Sequence, residues 1–318
     1  MLSRYIACIM NGVYLGQSNL FKKTHKYNLS YDGQMTYFTL EGILETLNND
    51  DISGRILIKN IYKYYMMFYY VQRHEMPNLN KNEELIYTDI CNYYKDQKPL
   101  RIERDSDKEV MEILEKGKVF SRNLVGNKLN NSSALLKLSP LIIFSQNPKL
   151  AFKIGVELTA LTHGDNEAQI CGGAFVYILS RLANKDNLID IIEDCIEEIK
   201  ELKEGINVVK NLQLFLEHID NETPITSLNT KSLNNVSYEI LLYSLLIYNH
   251  FEDDYSSALD FIEDLPNSKK EIAILYGNLY GSYYNKLLFN NENDIDFYSE
   301  FVDKIEELYK ASLQFNEE

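Results

Sequence analysis

Hydrophobic positions along the chain recur with the period of an α-helix. Over 187–203 (NLIDIIEDCIEEIKELK), Leu188, Ile191, Ile192, Cys195, Ile196, Ile199 and Leu202 fall on one stripe with charged residues between them. That is the pattern of a helix that buries a single face. The same spacing marks Ile6, Ile9, Met10 and Val13, then Val208, Val209, Leu212, Phe215, Leu216 and Ile219, and finally Phe301, Ile305, Leu308 and Leu313. The runs SPLIIF (139–144) and CGGAFVYIL (171–179) are apolar on every side, which on a helix means burial at the centre of a layered structure. The aromatic run YKYYMMFYYV (62–71) reads as a further buried helix with polar hydroxyl tips. Ser106 with Glu109 has the spacing of a capping box ahead of VMEIL, and Asn147 before Pro148 that of an N-cap with proline at the first helical position.

From about 72 to 104 the period is broken by Pro77, Pro99 and several Asn and Lys residues. This predicts mostly loop with a short helix near 83–94, a lid or an insertion. No repeat of fixed length is present. The pattern predicts an all-α protein forming one domain over 1–318.

Composition agrees. Six prolines and fourteen glycines in 318 residues are too few for the turns of a sheet-rich fold, and 45% hydrophobic with 25% charged residues fits a folded chain. The net charge of -15 argues against nucleic-acid binding, because phosphates are held by Lys and Arg, and suits a basic protein partner or a cationic ligand. Cys8, Cys91, Cys171 and Cys195 form no CxxC pair and do not cluster with the five histidines, so reduced core thiols are expected rather than zinc or disulfides. With no apolar run of membrane-spanning length and no basic-then-apolar opening, the expected location is cytoplasmic, without membrane association.

Three ordered runs carry a resemblance. SYDGQMTYFTLEGIL (30–44), ELTALTHGDNEAQICGGAFVYILSRL (157–182) and PNSKKEIAILYGNLYGSYYN (266–285) resemble motifs of the ADP-ribosylglycohydrolase family, in the manner of the dinitrogenase reductase-activating glycohydrolases. Members of that family cut a glycosidic bond to ADP-ribose with two magnesium ions. The resemblance implies a single multilayered orthogonal helical domain. Thr162, His163 and Gly164 match the second motif, and Gly277, Asn278, Gly281 and Tyr283 match the tail of the third. SSALLKLSPLIIF (132–144) resembles the family's G-x-G-x-x-M-R-x-A-P-L, with Lys137 at the arginine and Asn131 and Ser133 at the glycines.

The departures fall on the chemistry. Ser30 and Asp32 keep oxygen ligands of the first motif, but Tyr31 stands at its first aspartate and Gly33 at its second threonine. In the third motif Ser268 and Lys270 stand at the aspartates, Lys269 lies between them and Glu271 takes the hydroxyl position. A family segment near the N-terminus would fall on Leu15 to Lys23, placing Gly16 at its aspartate and Lys23 at its glutamate. A hard cation needs carboxylates, and one aspartate beside two lysines is hostile to it. Ser30, Tyr31, Asp32, Lys137, His163, Ser268, Lys269, Lys270 and Glu271 therefore read as a vestigial cleft with no catalytic residue and no magnesium. His163 reads as a structural hydrogen-bonding group, and Lys269 or Lys270 is expected to fill the metal's place beside Asp32. The expected function is protein binding by a pseudoenzyme, an immunity protein that neutralises an ADP-ribosyltransferase toxin or another basic effector. Two other readings stay open: a divergent hydrolase with a reduced metal site on Ser30, Asp32 and Glu271, and a sensor that binds ADP-ribose or a related nucleotide without cleaving it.

Overall fold

The structure, a computed structural model, describes residues 1–17, 29–49, 52–75, 81–104, 106–145, 147–202, 204–227, 233–289, 295 and 297–316. The described residues contain helix and no strand. In chain order they are α1 (Leu2–Leu15), α2 (Tyr31–Leu47), α3 (Gly54–Arg73), α4 (Lys81–Tyr94), α5 (Lys98–Arg101), α6 (Lys108–Glu115), α7 (Leu141–Phe144) and α8 (Pro148–Ala160). There follow α9 (Asn166–Ala183), α10 (Leu188–Lys200), α11 (Ile206–Asp220), α12 (Ser237–Phe251), α13 (Tyr255–Glu263), α14 (Lys269–Tyr284) and α15 (Tyr298–Asn316). No helix among the described residues is long and apolar enough to cross a membrane.

The layers follow the hydrophobic pattern. α9, apolar on every side, is buried along nearly its whole length, while α10 buries Leu188, Ile191, Ile192, Cys195, Ile196 and Ile199 and turns its carboxylates outward. The tyrosine-rich α3 is interior as well, with Tyr65, Met66, Met67 and Phe68 fully enclosed. The segment expected to be mostly loop carries α4 and α5. Pro99 stands in the first turn of α5, where a missing N–H costs nothing. The N-terminal match at Gly16 ends α1, and Lys23 lies outside the described residues.

Helix ends are fixed by side chains. Asn147 accepts from the backbone N–H groups of Lys149 and Leu150, as its spacing to Pro148 predicts. At α6 the cap is Asp107 rather than Ser106: its carboxylate accepts from the N–H groups of Glu109 and Val110. Asp and Ser are equally good caps, and the residue one step nearer the first helical turn takes the position.

Two close helix crossings set the frame. Between α8 and α9, a Cβ on Gly172 would sit 2.1 Å from Thr159 Oγ1 and one on Gly173 2.8 Å from the Phe152 carbonyl oxygen. Between α1 and α14, a Cβ on Gly281 would sit 2.3 Å from the Ala7 carbonyl oxygen and one on Gly277 2.9 Å from that of Asn11. Asn278 donates across the same crossing to the Cys8 carbonyl at 2.7 Å, and Asn11 donates to the Lys286 carbonyl at 2.9 Å. Gly277, Asn278 and Gly281 therefore serve helix packing.

Gly281→Ala forces backbone apart in a packed layer and is expected to cost about 2 kcal/mol or more. Gly54→Ala, at a position with nothing within 4 Å of the new methyl, is expected to stabilise by about 0.5 kcal/mol through helix propensity. Thermal unfolding of the two variants beside the parent checks the pair of signs.

Candidate functional site

The first run opens α2. Ser30 is its N-cap, its hydroxyl accepting from Gly33 N–H at 3.1 Å, and this leaves Asp32 in the first turn, where the helix dipole favours a carboxylate. Asp32 is only 5% exposed. The third run opens α14 on the opposite wall. The Lys270 ammonium reaches across from it to lie 2.5 Å from Asp32 Oδ2. Lys269 turns away and donates to the Glu263 carbonyl, while Ser268 holds the left-handed backbone (φ 54°) ahead of the helix without a side-chain cap. Of the two lysines considered for the space beside Asp32, Lys270 occupies it.

A second cation stands behind Asp32. Lys137 is 3% exposed and donates to the Ser133 carbonyl at 2.8 Å. Burial pushes its ammonium down to about 8, against the pull of the Asp107 and Asp32 carboxylates, which hold protons on it. The Tyr31 phenol is held well above its ordinary range by burial first, then by Asp107 and Asp32. It stacks edge-on against Phe68 with ring centroids 5.5 Å apart. Burial raises the Glu271 carboxyl too, opposed by its own backbone N–H and by Lys270, with Asp32 adding to the rise. Between Asp32, Gly33, Thr36, Leu136, Ile274 and Asn278 the remaining space is too small to admit a water molecule.

His163 belongs to a closed polar cluster. Its Nδ1 lies 2.9 Å from Thr162 Oγ1, and its Nε2 lies 3.0 Å from Ser133 Oγ and 3.1 Å from Asn131 Oδ1. Asn131 donates its amide to Asp107 Oδ2 at 2.8 Å, so the oxygen facing His163 can only accept. The imidazole is therefore neutral with its proton on Nε2, and Thr162 donates to Nδ1. Burial, then Lys137, hold it well below the usual histidine range. Ser133 Oγ donates to Asp107 Oδ2 at 2.8 Å. Gly164 closes the motif: a Cβ there would sit 2.1 Å from the Asn127 carbonyl oxygen, and its N–H donates to Asn127 Oδ1 at 2.6 Å. Ser133 and Asn131, which stand at family glycines, supply hydroxyl and amide to this cluster.

Asp107 is the residue the sequence reading passed over. It accepts from two α6 N–H groups, from Asn131 and from Ser133, and so ties α6 to the cleft. The signal for it was a second residue of good capping type, directly before Lys108 and beside the Ser106 expected to take that place. Among the described residues no group of three or more His, Cys, Asp or Glu side chains is placed to hold a metal ion.

A family model for ADP-ribosylglycohydrolases matches residues 10–286. The chain belongs to the ADP-ribosylglycohydrolase family. No protein of curated function matches it. Among solved structures it is similar to one described as an "ADP-ribosylglycohydrolase-related protein complex", with a TM-score of 0.58 and 13% identity over 98% of each chain. At that identity the likeness speaks for the fold alone. α15 lies beyond the family match and is held onto α2 by Lys304 Nζ 3.5 Å from the buried Glu41 Oε2 and by Tyr37 against Phe301, ring centroids 5.1 Å apart.

Lys137 gives a pH signature. Its proton leaves the folded protein near pH 8 and the unfolded chain near 10.5. Between those values the unfolded state binds more protons at this group, so the contribution of Lys137 to stability rises with pH. The four buried thiols, all pushed up by burial, and above about pH 10 the buried tyrosines, ionise only on unfolding and pull total stability the other way. Measured by urea unfolding from pH 7.5 to 9.5, the wild type is expected to gain about 2 kcal/mol relative to Lys137→Met, the thiol contribution being common to both.

Proposed function

We propose that this family member does not cleave ADP-ribose and acts by binding another protein, as an immunity protein that occludes an ADP-ribosyltransferase toxin or another basic effector. The observation that carries the first half is the Lys270 ammonium 2.5 Å from Asp32 Oδ2. Family chemistry would set two magnesium ions at this wall, and the residues present do not fit them. The Ser30 hydroxyl is engaged as a helix cap. The carboxylate at Asp32 is neutralised by an ammonium, and a second ammonium at Lys137 stands close by. Magnesium sheds its water reluctantly and asks for carboxylates in near-octahedral array. Adding a divalent cation here would place it against two fixed positive charges in a medium that screens them poorly.

Support for the second half is of another kind. The surface excess of carboxylates behind a net charge of -15 speeds encounter with a basic protein and orients it. The similar solved structure is described as a protein complex. Where active relatives would reverse a toxin's modification, a member without the metal centre acts by covering the toxin.

Calorimetric titration with magnesium or manganese is expected to show nothing tighter than millimolar, and no ADP-ribose is expected to be released from modified arginine or serine peptides. Two sub-millimolar sites would sink the proposal. In cells expressing an ADP-ribosyltransferase toxin, protection that survives Asp32→Ala supports occlusion. Protection or turnover that disappears in that variant would return the chain to the hydrolases.

A further inference from the structure

At the end of α14 away from Lys270, roughly 20 Å along the helix, an open cavity of about 300 Å³ lies where the turn after α9 meets the ends of α12 and α14. Tyr248, Tyr283 and Tyr284 stand in its wall. Tyr283 is edge-on to Tyr284 with ring centroids 5.1 Å apart, and Tyr248 lies 6.1 Å from Tyr284 at 55°. A cation already rests on two of these rings. The Lys185 ammonium is 4.0 Å from the Tyr283 centroid and 5.9 Å from that of Tyr284, and it donates to the Tyr283 carbonyl.

Three carboxylates follow one another in the turn after α12, and two of them are engaged. Asp253 accepts from the Tyr280 hydroxyl at 2.9 Å and pairs with Lys286 at 2.5 Å, while Asp254 caps α13. Glu252 lines the cavity, and its side chain makes no ion pair or hydrogen bond among the described residues. The same is true of Asn249, three residues earlier in the same wall. Asp186, the other acid of the wall, is held by Arg181. The backbone of Glu252 has φ 48° and ψ -116°, a conformation open to glycine and unfavourable to a residue with a Cβ. A glutamate held where glycine would sit more easily contributes its carboxylate.

We propose that this cavity binds a guanidinium group, stacked against the tyrosine rings with its N–H groups on the Glu252 carboxylate and the Asn249 amide oxygen. A guanidinium is planar, weakly hydrated and forked, so it stacks on an aromatic ring and donates to a carboxylate at once. A compact ammonium stays hydrated in an open site. A quaternary ammonium has no donor for either acceptor, and an anion meets the Glu252 charge. The group is the same on a free guanidine and on an arginine side chain of a basic protein.

Calorimetry on the full chain at low salt, with N-acetyl-arginine amide as the probe, tests the site. A dissociation constant of about 1 mM or tighter is expected, with the neutral isostere N-acetyl-citrulline amide at least tenfold weaker. Glu252→Gly suits the backbone and is expected to unfold no earlier than the wild type, yet to weaken binding roughly tenfold or more. Tyr283→Leu is expected to weaken it about fivefold. Free arginine binding better than the amide assigns the site to a small molecule, and the reverse assigns it to a protein side chain; either result supports a guanidinium site. No binding up to about 10 mM, equal binding of arginine and citrulline amides, or undiminished binding by Glu252→Gly overturns it. None of these outcomes bears on whether the cleft hydrolyses ADP-ribose.

Discussion

One buried carboxylate organises the cleft. Asp32 sits in the first turn of α2 at 5% exposure, facing the start of α14. The glycine-lined crossing of α1 on α14 holds that wall close. An ionised carboxylate enclosed in this way is costly without a partner of opposite charge. The helix N-terminus supplies part of that charge and the Lys270 ammonium the rest. Once an ammonium holds the position, the remaining polar groups arrange around it: Lys137 behind, Tyr31 protonated, and Glu271 held toward its neutral form.

The family's motifs divide here into two physical roles. Gly277, Asn278 and Gly281 let α14 approach α1 and bond to its carbonyls, and Gly164 lets the loop before α9 touch the backbone at Asn127. None of that depends on a metal. The heads of the motifs, where the family holds metal, carry Tyr31, Ser268 and Lys270, and the structure accommodates them without disturbing the packing tail about two helical turns later. His163 illustrates the same separation: a neutral imidazole locked between Thr162, Ser133 and Asn131 joins the segments around 131–133 and 162–163 and has no free nitrogen for chemistry.

Much of this was legible in the sequence because helical period and packing glycines leave strong local signals. The α10 stripe, the enclosed α9 and the Asn147 cap follow from residue type and spacing, and the ammonium beside Asp32 follows from the family resemblance, which sets the first and third motifs on facing walls. Other features were not legible because they depend on partners far along the chain. Lys269 and Lys270 are neighbours, and only the direction in which α14 begins decides which meets Asp32. Asp107 reads as one more surface acid until the segment around Asn131 folds against it, more than twenty residues later in the chain. In the stretch 72–104, interrupted by Pro77 and Pro99, the short helix expected near 83–94 is α4, while the turn of α5 was not expected and carries Pro99 where a helix tolerates it.

The central claim is that a lysine of this chain stands where the family holds metal. Anomalous diffraction from crystals soaked in manganese tests it in place, independently of any assay of turnover. The account predicts no manganese peak between α2 and α14, with the Lys270 ammonium in density against Asp32. A peak bridging Asp32 and Glu271, with Lys270 swung out to solvent, would contradict it.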